Sequence, residues 1–107
     1  MNARHVMAAA ALMVLAGAIS LQAQTPAPTP AQTYTTTCAA CHGPSGAGIP
    51  AQFPRVAGQF PEYTIAQLQA FRAGERVNDP NKMMSTTVAN MSDQEIKAVA
   101  EYITGLR

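Results

Sequence analysis

The clearest order in the run of apolar and polar positions lies near the end of the chain. Ile96, Val99, Ala100 and Ile103 recur there at i, i+3, i+4 and i+7, which predicts a helix with one buried face. Ser92 and Glu95 stand in front of it as an S-x-x-E capping box, and Gly105 ends it. Met91, just before the N-cap Ser92, occupies the place of an apolar staple residue that packs. A second helix is predicted from Pro61, with Glu62 in its first turn, the end of the helix dipole that favours a carboxylate. Ile65, Leu68 and Phe71 fall on one side of it, and Gly74 is its natural stop. A weaker helix is predicted from about Ala31 to Cys41, with Thr29 as N-cap and Pro30 suited to the first turn. Its Thr35-Thr36-Thr37 run is a poor helix former. No stretch shows sustained period-two alternation between hairpin turns, so the pattern predicts an all-α fold without a sheet.

Between these helices, Gly43 to Phe60 and Glu75 to Met91 read as irregular. Loops of that length are uncommon in a compact domain unless something organises them. A large cofactor wrapped by the loops would serve as their core.

The chain has 107 residues, enough for one domain at most. Met1 to His5 carries Arg4, Val6 to Leu21 is uncharged and rich in Ala, Leu, Val and Met, and Leu21-Gln22-Ala23 ends the run. That layout predicts a secretory signal peptide over residues 1–23, cut after Ala23, and a periplasmic product. The apolar run of about 16 residues, interrupted by Gly17 and Ser20, is short for a membrane span. Residues 24–30 (QTPAPTP) alternate with proline and form an extended linker, which leaves a folded domain over 31–107. At that size burial alone is marginal, and a disulfide, metal or cofactor is the usual nucleus. Seven Lys and Arg nearly balance six Asp and Glu, so nothing in the charge suggests nucleic acid or an anionic membrane surface as partner.

The chemistry is concentrated in Cys38-Ala39-Ala40-Cys41-His42, a C-x-x-C-H sequence of the type that attaches haem c. On one helical turn Cys38 and Cys41 face the same way, so their sulfurs can form thioethers with the two vinyl groups of one porphyrin edge. His42 then follows as the proximal iron ligand. A thioredoxin-type pair would need a preceding strand, which is not predicted. A zinc site needs four ligands, and the mature chain offers Cys38, Cys41 and His42.

His5 lies in the signal segment, so the mature chain has one histidine, and the second axial ligand is expected to be a methionine. Met83 and Met84 lie in the second irregular segment, and spacing alone does not separate them.

Cys38 to Gly43 (CAACHG), Phe53 to Gln59 (FPRVAGQ) and the stretch from Asn78 to Glu101 resemble a class I cytochrome c, over essentially the whole mature domain. Within that class the chain resembles the halves of bacterial cytochrome c4 and their single-domain relatives. The resemblance implies a small fold of three to four short helices and long loops around one covalently bound haem. It places the ligand methionine seven residues before Met91, at Met84, with Met83 as the alternate. It implies that the first and last helices pack, bringing Tyr34 near Tyr102. Relatives have glycine where this chain has Pro30, which implies a shortened first helix and an altered crossing. Relatives also have proline where this chain has Ala51, so a carbonyl of Pro50 or Ala51 is expected to accept from the His42 ring. Arg55, Gln59 and Tyr63 are the candidates to meet the haem propionates, since buried carboxylates need partners.

Such ligation implies an electron-transfer protein rather than an enzyme. The preferred expectation is a diffusible periplasmic carrier between a dehydrogenase or quinol-oxidising complex and a terminal oxidase or reductase. The alternative is a tightly bound electron-accepting subunit of a periplasmic dehydrogenase. An open-site haem enzyme or gas sensor would need a free distal position, against which the two methionines argue.

Overall fold

The computed structural model describes residues 11–22 and 25–107. The expected cut after Ala23 and the basic start of the chain lie outside the described residues. Residues 11–22 and 25–29 carry no helix, and the fold begins at Pro30. Its elements are α1 (Pro30–Thr37), α2 (Ala39–His42), α3 (Pro61–Arg72), α4 (Met83–Val88) and α5 (Asp93–Thr104), with a 3-10 turn at Pro80–Lys82 before α4. Among the described residues no strand forms, and one isolated bridge joins Ile49 to Phe53. The all-α expectation holds.

Each predicted helix starts on the device read in its sequence. The Thr29 side chain accepts from the Gln32 N–H while the Gln32 side chain accepts from the Thr29 N–H, so α1 opens on a capping box of its own. Ser92 and Glu95 do the same for α5. Pro61 occupies the first turn of α3, and Gly74, at φ 72°, lies just beyond its C-cap Ala73. The expected helix over Ala31 to Cys41 is interrupted at Cys38, which ends α1 and begins α2. The interruption is slight: the Cys38 N–H donates to Tyr34 O at 2.8 Å and Cys38 O accepts from the His42 N–H at 2.9 Å. Cys38 and Cys41 thus stay one turn apart.

α5 is the central element, packed against both α1 and α3, while α4 packs on α3. Tyr34, Val99 and Ile103 form the buried centre, covered by Val56, Leu68, Met91 and Leu106. The Tyr34 and Tyr102 rings lie 5.5 Å apart between centroids, so the expected pairing of first and last helix is present. Arg72 at the end of α3 donates to Met91 O at 2.7 Å and pairs with Asp93, which ties α3 to the start of α5. The fully buried apolar side chains are few, and much of the remaining apolar surface faces a cleft instead of another helix.

The second irregular segment is a correction. It contains the 3-10 turn and α4, neither of which the pattern predicted. Met83–Val88 is six residues rich in Ser and Thr, and its N-cap, Lys82, offers no side-chain cap. The usual local start signal is therefore missing.

Candidate functional site

The cleft, of about 390 Å³, is bounded by two walls that come from different parts of the chain. One wall is built from α2 and the loop after it, the other from the 3-10 turn and α4, and α3 forms the floor between them. Along α3 the residues that line it are Tyr63, Thr64, Gln67, Leu68 and Phe71, one face of the helix. Phe71 and Thr64 are buried and Leu68 half-buried, while Ile65 lies off this face.

On the first wall the loop from Gly43 folds back under α2. The Gly48 N–H donates to His42 O at 2.8 Å, and the N–H groups of Val56 and Ala57 both donate to Gly46 O. A Cβ at Gly48 would sit 2.4 Å from Phe53 O, at φ +73°, so only glycine lets the two arms of the loop touch there. The bridge between Ile49 and Phe53 makes Pro50 to Gln52 an exposed tip, with Ala51 at φ 63°. This corrects the expected partner of the histidine. Pro50 and Ala51 are carried away from His42 by the tip, and Pro54, on the returning arm, supplies the carbonyl at 2.7 Å from Nδ1. A carbonyl only accepts, so Nδ1 carries the proton and Nε2 is left with its lone pair free to bind a metal. His42 is buried, and the Tyr34 hydroxyl, donating to Gly43 O at 2.7 Å, braces the end of α2.

Cys38 and Cys41 are half-buried, unpaired thiols on the same wall. Burial pushes the Cys38 thiol up to about 11. Thiol–disulfide exchange needs the opposite, a thiol held near or below neutral pH, so Cys38 is not set up as an exchange nucleophile.

On the second wall Met84 is half-buried and Met83 is 41% exposed, and both line the cleft. Asp79 accepts from the Met84 N–H at 2.8 Å and the Ser85 N–H at 2.9 Å, and from the Ser85 hydroxyl. Desolvation works to raise the Asp79 pKa, but the Ser85 and Met84 hydrogen bonds and the nearby Arg76 charge outweigh it and hold the carboxyl below its ordinary value.

Arg55, Gln59 and Tyr63 all reach the cleft, Arg55 and Tyr63 exposed and Gln59 half-buried. The Gln59 side chain accepts from the Phe60 N–H, and Gln59 O accepts from the Thr104 hydroxyl at 2.6 Å, which fastens this edge to α5. Every residue expected from the sequence to bind haem or its iron, Cys38, Cys41, His42, Arg55, Gln59, Tyr63, Met83 and Met84, therefore lines one cleft. Three polar residues that sequence reading passed over are also there. Arg76 donates to Gln67 Oε1 at 2.9 Å and Asn78 Oδ1 at 2.7 Å, and its guanidinium lies 4.3 Å from the Phe71 ring centre. Nothing local marks Arg76, because its partners are brought to it by α3 and the following turn.

An apolar cleft with two thiols and an oriented imidazole on one side and two thioethers on the other has the donor set and shape for a covalently held haem. Comparison with known proteins agrees. Residues 30–107 match the cytochrome c family. Among curated relatives, the chain is 52% identical over 69 residues to the thiosulfate dehydrogenase electron acceptor of Stutzerimonas stutzeri, covering 64% of this chain and 32% of that protein. It is 48% identical over 77 residues to cytochrome c4 of Thiocapsa roseopersicina, covering 70% of this chain and 40% of that one. The structure of reduced recombinant cytochrome c4 from Pseudomonas stutzeri superposes with a TM-score of 0.64 at 42% identity, over 65% of this chain and 38% of that chain. The chain thus spans 32–40% of the length of these relatives. With the family match extending over the whole folded region, the chain belongs to the cytochrome c family and carries one covalently bound haem c.

Proposed function

We propose that this protein is a periplasmic one-electron carrier whose haem is attached through Cys38 and Cys41 and ligated by His42 and Met84. The observation that carries the reading is that those four side chains, from α2 and from α4, line one apolar cleft, with the imidazole set by Pro54 O. Bound there, haem iron supplies reversible one-electron chemistry near a potential raised by a thioether ligand. The chain's own residues do the rest. Cys38 and Cys41 fix the cofactor to α2, and Pro54 orients His42. Leu68, Phe71, Val88 and Val99 keep water from the interior of the cleft. Arg55, Gln59 and Tyr63 meet the propionates at its polar edge. With His42 and Met84 both holding the iron, no substrate would reach the metal, which is the basis for reading a carrier and not an enzyme.

Residues 1–23 act as the export signal and the proline-rich stretch after them as a linker, while the domain expected over 31–107 takes in Pro30 and its cap Thr29 as well. Leu12, Val14, Leu15, Ile19 and Leu21 are 83–95% exposed, which fits a segment that contributes nothing to the core. No helix among the described residues is long and apolar enough to cross a membrane. A dehydrogenase or quinol-oxidising complex is the donor class and a terminal oxidase or reductase the acceptor class.

A second reading, an electron-accepting subunit held by a periplasmic dehydrogenase, is favoured by the 52% identity to a thiosulfate dehydrogenase electron acceptor. Stable co-purification of a dehydrogenase through salt washing would select it over the diffusible carrier.

The first experiment is the visible and near-infrared spectrum of the oxidised holoprotein, wild type against Met84→Ala. The weak iron–methionine charge-transfer band should be present in the first and absent from the second. High-spin iron without the band in the wild type would overturn the ligation and bring the open-site enzyme or sensor forward.

A further inference from the structure

The methionine wall is built on an unfavourable piece of backbone. Asn81 and Lys82, neither of them glycine, are both left-handed, at φ 56° and 53°. Lys82 is the N-cap of α4 and gives it no side-chain cap, and α4 itself is only six residues long. A segment this short and strained does not hold its register unaided.

We infer that Asp79 is the positioning residue of this wall: its carboxylate grips the first turn of α4 and so sets Met84, and not Met83, as the iron ligand. The inference rests on the assignment of Met84 above. Both carboxylate oxygens are used, Oδ1 by the Met84 N–H at 2.8 Å and Oδ2 by the Ser85 N–H at 2.9 Å and the Ser85 hydroxyl. Asparagine in the same place would keep only one acceptor oxygen. The grip falls on the backbone of Met84 itself, whereas Met83 sits one residue earlier and is 41% exposed. Arg76 backs the clasp with its positive charge and is itself anchored by Gln67 and Asn78 over the Phe71 ring. The register of α4 is thereby referred to α3, the floor of the cleft. Asp79 touches neither sulfur nor iron in this scheme. It acts through the backbone that carries the sulfur.

The test uses oxidised holoprotein in five forms: wild type, Met84→Ala, Asp79→Ala, Asp79→Asn and Ser85→Ala. Readouts are the near-infrared charge-transfer band, the reduction potential and the affinity for added imidazole, which competes with the methionine for iron. External imidazole binds only when the methionine has left, so its affinity reports the open population. Imidazole should bind at least tenfold more tightly to Asp79→Asn than to wild type, with a weaker change in Ser85→Ala. Asp79→Ala should lose most of the band and fall in potential. If Asp79→Asn and Ser85→Ala keep wild-type imidazole affinity and band while Met84→Ala loses the band, the clasp is overturned and the ligation stands. If Met84→Ala keeps the band, ligation by Met84 and the clasp built on it both fall. Should Asp79→Ala not accumulate, the asparagine and serine variants decide alone.

Discussion

The two walls of the cleft present the proposed iron ligands by different means. His42 belongs to a helical turn that is covalently continuous with both attachment cysteines, and the loop after it is laced by backbone hydrogen bonds to Gly46, Gly48 and Phe53. A carbonyl fixes its ring and a buried tyrosine braces its helix end. Met84 belongs to a six-residue helix that opens on two left-handed residues and is gripped by one carboxylate. The histidine side is thus over-determined, with several independent constraints on one imidazole. The methionine side depends on few contacts, and local opening is expected where contacts are few. The proposed one-electron carrier would gain from this division, because the attached wall would keep the haem in place whatever the other wall does.

The severest way to break the comparison is to remove the redundancy of the histidine wall at the point where two arms touch. Gly48→Ala places a Cβ 2.4 Å from Phe53 O on left-handed backbone. It should cost roughly 2–5 kcal/mol from overpacking and backbone strain together. Thermal unfolding of the holoprotein checks it, and an unchanged Tm would contradict the picture of a rigid loop. Tyr34→Phe tests a single brace, leaving Gly43 O without its hydroxyl donor. A loss of about 1–2 kcal/mol is expected, the lower part of the range of about 1–3 kcal/mol for an unsatisfied acceptor, since Gly43 O is half-buried. The charge-transfer band should stay intact, since the methionine wall is untouched.

On that other wall the sign reverses. Lys82→Gly relieves a left-handed residue and should raise stability by up to about 1 kcal/mol, with the methionine band retained. Destabilisation instead would mean that the Lys82 side chain contributes more than its backbone costs. The smallest effect expected lies away from both walls, at the start of α5. Hydrogen bonding and charge from Arg72 lower the Asp93 pKa, and the Ser92 N–H lowers that of Glu95. Depressed carboxylates contribute stability above their ordinary values of 3.8 and 4.5, and lose it as pH falls through their folded values. Tm should therefore hold steady from neutral pH to about 5 and decline below it. Asp93→Asn should flatten part of that decline, and an identical pH profile would show that the pair is screened away.

How much of this was legible beforehand differs by element. α5 could be placed from its capping box and apolar spacing, and α3 from Pro61, Gly74 and the spacing of Leu68 and Phe71, because those signals are local. The C-x-x-C-H turn could be read because attachment chemistry demands its spacing. The pairing of Tyr34 with Tyr102 came from the family resemblance and is present at 5.5 Å. α4 escaped because its cap, Asp79, stands outside the usual N-cap position and acts across two left-handed residues. The histidine's partner was misplaced at Pro50 or Ala51 because the bridge from Ile49 to Phe53, invisible in a period search, turns those residues into an exposed tip.

By itself, then, the order of residues determined the haem-attachment motif, its histidine, the class of fold and the caps of the longer helices, since each rests on groups within about one helical turn of each other. Only the tertiary structure decided that Pro54 holds His42, that Asp79 grips the backbone of Met84, and that Gln67, Arg76 and Asn78 join the cleft. Those contacts unite segments whose approach is set by α3 and α5 packing around the cleft, and no local spacing carries that information.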